Sequence, residues 1–100
     1  MISAWTSSPD NGVPAWFAEK GEQVVCCSRH RERQTPIRRA SLYFERPAFI
    51  EFGTMLQLGS VGVAALKAAG HDGAITHGRC PWGVESDIYV VFCPIQIEWE

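Results

Sequence analysis

Leu66-Lys67-Ala68-Ala69-Gly70-His71-Asp72-Gly73-Ala74-Ile75 and, after a polar loop, Asp87-Ile88-Tyr89-Val90-Val91-Phe92-Cys93-Pro94-Ile95-Gln96-Ile97 decide how this chain folds. Ser60 is a good N-cap for a helix running through Val63, Leu66 and Ala69, and Gly70 suits its C-terminal cap. Gly73 to Thr76 reads as a short strand, and His77 to Ser86 as a loop rich in glycine and proline. Residues 87–93 form the best strand in the chain, ended by Pro94. Ile95, Ile97 and Trp99 then fall on one face of a final strand or edge extension.

Upstream, residues 2–6 make a short first strand. Ser7-Ser8-Pro9-Asp10-Asn11-Gly12 is dense in turn formers, and Ala15-Trp16-Phe17-Ala18 is a second strand. From Glu19 to about Arg33 the pattern is helical, with Val24 and Cys27 along one side and His30 or Arg31 continuing it. Pro36 ends that helix. Residues 37–46 alternate as a strand, Pro47 interrupts, and Ala48 to Phe52 resumes extended character; residues 54–58 fit no one element. Two helices among six or seven short strands make one α+β domain over residues 1–100.

Composition narrows the function classes. At 46% hydrophobic and 20% charged the chain is too apolar to be disordered. A net charge of −2 argues against binding nucleic acid by neutralising many phosphates, although six of the nine Lys and Arg lie between Arg29 and Arg46. That run reads as a solvated helix end, and Arg38 and Arg39 extend it toward an acidic partner or a pyrophosphate. No basic segment precedes an apolar run near Met1, and no apolar stretch approaches the roughly 20 residues that span a bilayer, so a cytoplasmic protein is expected. His71, His77, Cys80 and Cys93 can be assembled into a metal set, but only His77 and Cys80 have ligand-like spacing, and buried or incidental thiols are the expected reading. There is no P-loop, dinucleotide fingerprint or nucleophile elbow.

With these residues in view, the order helix, Gly70-x-Asp72-Gly73, loop, Tyr89-Val90-Val91-Phe92-x-Pro94-x-Gln96-Ile97 resembles the C-terminal half of ADP-ribosyltransferase-like domains of phage and mobile-element proteins. Trp5-Thr6-Ser7-Ser8-Pro9 with Trp16-Phe17-Ala18-Glu19 resembles the opening of the same fold, as in its small anti-CRISPR members, and Leu42 to Pro47 resembles a later strand. The resemblance implies split small sheets around a cleft for NAD, which acts as substrate. It also implies an acid that stabilises the oxocarbenium-like transition state electrostatically.

Carried over by position, the resemblance places Trp5, Thr6, Ser7, Trp16 and Phe17 around the NAD, with Trp5 where the family often has histidine. By residue type alone, ordinary core aromatics are the plainer reading of Trp16 and Phe17. The family's acid immediately precedes Tyr-Val-Val-Phe, a place held here by Ile88, so the candidate acids are Asp87, Glu85 and, in Gln96-Ile97-Glu98, Glu98. A shift of one residue turns a strand side chain to the other face, and solvated edge carboxylates are the plainer reading of Asp87 and Glu98. Two functions follow from the resemblance. One is transfer of ADP-ribose from NAD to a protein target. The other is a catalytically inactive relative that binds and inhibits a host-defence complex, with Arg38 and Arg39 at the contact.

Overall fold

The computed structural model describes residues 1–6, 14–20, 38–79 and 85–100. Among the described residues there are seven strands: β1 (Ile2–Thr6), β2 (Ala15–Ala18), β3 (Arg38–Leu42), β4 (Pro47–Phe49), β5 (Gly73–Arg79), β6 (Glu85–Val91) and β7 (Ile97–Trp99). Helices α1 (Phe52–Leu56) and α2 (Gly59–Ala68) lie between β4 and β5, and a 3-10 turn (Pro94–Gln96) precedes β7. The expected turn at 7–12 and most of the helix over 19–33 fall outside the described residues.

The strands form one sheet in the order β4-β5-β6-β2-β1-β3-β7. An α+β class is therefore correct, but two split sheets are not what these strands build: hydrogen bonding runs unbroken across all seven. Among the described strands only β4 and β5 pair in parallel. A parallel pair needs a crossover connection, and α1 with α2 supply it. Both edge strands have just three residues, which limits the unpaired backbone offered to another chain.

Register sorts the side chains onto two faces. Ile2, Ala4, Ala15, Phe17, Ala40, Leu42, Tyr89 and Val91 pack on one, joined by Ile97 and Trp99. Ala74, Ile88, Val90 and Phe92 point to the other, where Phe52, Met55, Val63 and Leu66 of the helices cover them. Phe52 and Met55 are three residues apart and so share one side of α1; the helix takes Phe52, expected to be extended, and gives 54–56, which fit no one element by sequence, their place.

The Gly-His-Asp-Gly segment is a structural bracket. α2 ends in a Schellman arrangement: the Gly70 amide donates to the Lys67 carbonyl (3.0 Å), the His71 amide to the Leu66 carbonyl (3.0 Å), and Gly70 takes φ +93°. Asp72 then accepts from the backbone amides of Glu45 (2.6 Å) and Arg46 (3.0 Å), while its own amide donates to the Arg46 carbonyl (3.2 Å). This bracket sets where the chain enters β4 and β5 side by side. At the other end Ser60 caps nothing; Leu58 is the N-cap, and its carbonyl accepts the Gly62 amide at 2.9 Å.

Two boundaries move. The polar loop is shorter than its composition suggests, because β5 continues through His77 to Arg79 and β6 starts at Glu85. Ile95 belongs to the 3-10 turn and is 91% exposed, so only Ile97 and Trp99 share the apolar face.

Candidate functional site

β5 and β6 place His77 directly opposite Asp87 and Arg79 opposite Glu85. Directly opposed residues of an antiparallel pair bring their Cβ atoms to about 5 Å, so side chains of modest length meet without strain. The His77 Nδ1 lies 3.3 Å from Asp87 Oδ1, and its Nε2 lies 3.9 Å from Glu85 Oε2. On the far side of β6, the Glu19 amide donates to the Asp87 carbonyl (2.8 Å) and extends the β2–β6 ladder by one residue. Glu19 Oε1 in turn lies 3.4 Å from the Asp87 amide. Glu19, Glu85, Asp87 and His77 thus form one polar group at the rim of the sheet.

Tyr89, the next residue of β6 on that face, is buried. Burial, and then the negative charge of Asp87 and Glu19, pushes its phenol up to about 12. Because the folded value lies above the ordinary 10, the folded state holds its proton where the unfolded chain loses it. Stability carried by Tyr89 is therefore complete below pH 10 and falls as pH rises through about 12. Tyr89→Phe is expected to flatten that alkaline decline in a urea-denaturation series from pH 8 to 12; an unchanged slope would contradict it.

The candidate residues divide between the faces. Thr6 and Phe17 share the Asp87 face: extending the Trp5↔Ala18 register sets Thr6 beside Phe17, and Phe17 pairs with Tyr89. Both are buried, and Phe17 packs its ring against Trp99 at 5.7 Å between centroids, a core role. Trp5 and Trp16, one residue off in each strand, point to the opposite face. Glu98 is there too, accepting a 2.8 Å hydrogen bond from the Tyr43 hydroxyl, so it cannot act with Asp87. That bond raises the Tyr43 phenol above its ordinary value. Ser7 lies outside the described residues.

Arg38 and Arg39 are not one basic patch. Consecutive in β3, they leave opposite faces: Arg38 sits 4.9 Å above the Trp99 ring, and Arg39 5.7 Å above Trp5. Arg39 also donates to Ser3 Oγ (2.7 Å) and pairs with Glu100 (3.2 Å). Trp5 and Arg39 share the face opposite Phe17 and Tyr89 with Trp16 and Tyr43, which are 40% and 42% exposed.

Sequence reading missed His77 and Glu19 as members of the polar group. The available signal was the alternation Glu85, Asp87, Tyr89, which places all three on one face once the strand is begun at Glu85. Of the four residues weighed and disfavoured as metal ligands, the His71 Nδ1 lies 3.2 Å from the Arg46 carbonyl, His77 faces Asp87, Cys93 is an exposed free thiol, and Cys80 is outside the described residues. No helix among the described residues is long and apolar enough to cross a membrane. Comparisons with protein-family models, with curated proteins and with solved structures find no match to this chain.

Proposed function

We propose that the domain is ADP-ribosyltransferase-like and transfers ADP-ribose from NAD to a protein, with Asp87 as the acid and Glu85 beside it. The observation that carries this reading is the convergence of Asp87 and Glu85 on one imidazole at an accessible rim. An oxocarbenium-like centre develops positive charge at the ribose, and fixed carboxylates stabilise it more than they stabilise neutral substrate. The displacement of the acid from position 88 to 87 has a physical sense. Ile88 is buried on the helix-covered face, where a carboxylate would be desolvated, whereas the Asp87 side chain is 45% exposed. Gly70-x-Asp72-Gly73 and Pro94-x-Gln96 act as the frame that fixes β5 and β6. Asp87→Ala is expected to reduce labelling of a target from NAD by about 10²–10³-fold. Wild-type protein that neither labels a lysate band nor gains melting temperature with NAD would sink the reading.

A second reading rests on the opposite face. Trp, Tyr and Arg dominate the energetics of protein interfaces; Trp5 and Arg39 are in contact there, and Trp16 and Tyr43 share the face. In that reading the domain binds and blocks a macromolecular target without catalysis. Arg39→Glu then weakens capture of the target at least tenfold while Asp87→Ala does not; equal capture by both variants would count against it.

A further inference from the structure

We infer that His77 is a positioning residue that donates its Nδ1 proton to Asp87 and so selects that carboxylate, rather than Glu85, as the working acid. The inference rests on the transferase reading and adds a residue to it. Three observations support the assignment. The β5–β6 register holds the two residues opposite each other, so the ladder brings their side chains within reach. Nδ1 reaches Asp87 Oδ1 at 3.3 Å, within hydrogen-bond range, whereas Nε2 stands 3.9 Å from Glu85 Oε2, beyond it. The imidazole also stands between two carboxylates that alternate on one strand face, which spaces the like charges apart.

Among the described side chains, the ionisable groups facing His77 are Glu85 and Asp87 on β6, with Glu19 behind Asp87 from the end of β2. A hydrogen bond to one ring nitrogen fixes which nitrogen carries the proton, and this determines both tautomer and ring orientation. With Nδ1–H aimed at Oδ1, the remaining Asp87 oxygen is left to face substrate.

The test has one arm without turnover and one with it. Long-range proton–nitrogen spectra recorded where the imidazole is neutral should show His77 of the wild type as the Nδ1–H tautomer, reverting toward the Nε2–H form in Asp87→Ala. In NAD turnover, His77→Leu should lower kcat about tenfold with KM for NAD and melting temperature unchanged. His77→Asn, whose amide can replace the Nδ1 donor, should recover part of the loss. A tautomer indifferent to Asp87→Ala, or a kcat indifferent to His77→Leu, overturns the inference. A tautomer that responds in a protein unable to turn over NAD overturns the transferase reading and leaves the His77–Asp87 pairing standing.

Discussion

Gly73→Ala is expected to destabilise the fold by about 3 kcal/mol, at the upper end for overpacking by a single methyl group. A Cβ at Gly73 would stand 2.2 Å from Cε1 and 2.7 Å from Cδ1 of Phe44, and 2.7 Å from the carbonyl oxygen of Val90. The ring can move, although it lies among the apolar side chains of its face, 6.3 Å from the Tyr89 ring. The carbonyl has less freedom, because it belongs to β6, which is bonded to β5 on one side and β2 on the other. For 100 residues the loss amounts to a fall in melting temperature of roughly 15 °C. Gly53→Ala is the control. Nothing stands within 4 Å of a Cβ there, and alanine in a helix is favoured over glycine by about 1 kcal/mol. Equal melting temperatures for the two variants would show that the close approach at Gly73 is not what holds β4, β5 and β6 in register. Adding Phe44→Leu to Gly73→Ala separates the two contacts, since only the part due to the ring can be recovered.

Much of this frame was legible from the chain. The helix stop at Gly70, the strand after Gly73 and the apolar strand before Pro94 all follow from local chemistry, and each is found. The errors have one cause, which is that local composition was read as local structure. Glycine and proline between His77 and Ser86 read as loop formers, yet cross-strand pairing extends β5 through Gly78 to Arg79 and takes β6 back to Glu85. Pro47 read as an interruption, yet it begins β4, an edge position where its missing amide costs nothing in the ladder.

The candidate site was legible as a set of residue types and not as an arrangement. Pairing strands across the sheet is a long-range property, and a one-residue difference in strand start decides which face a side chain takes. This is why Trp5 and Trp16 parted from Thr6 and Phe17, and Arg38 from Arg39. It is also why His77 emerged only once its partner across the ladder was known.

The second large effect is expected at Gln96. Gln96→Leu, which keeps the volume and removes the amide, should destabilise the protein by about 2 kcal/mol by leaving two backbone groups without partners. Gln96 Oε1 accepts from the Cys93 amide (2.9 Å), and Nε2 donates to the Tyr43 carbonyl (3.0 Å). The Tyr43 amide donates in turn to the Gln96 carbonyl (3.0 Å). One side chain therefore closes the turn between β6 and β7 and ties it to the end of β3. Only 8% of the residue is exposed, so solvent replaces these bonds poorly. Leucine should fit the same space, which makes the loss a test of hydrogen bonding and not of packing. In urea the midpoint should fall with the slope unchanged, because the surface exposed on unfolding is nearly the same. Amide exchange adds the location: β7 pairs only with β3, so protection at Tyr43 and along Ala40–Leu42 should fall more than at Tyr89 and Val90 in the sheet centre. A uniform loss of protection across the sheet would mean that Gln96 supports the whole fold, and no change at all would remove it from the frame. The local pattern is the one the bonding requires, because Gln96 touches β3 and the β6–β7 turn while β5 is held separately by the Asp72 bracket.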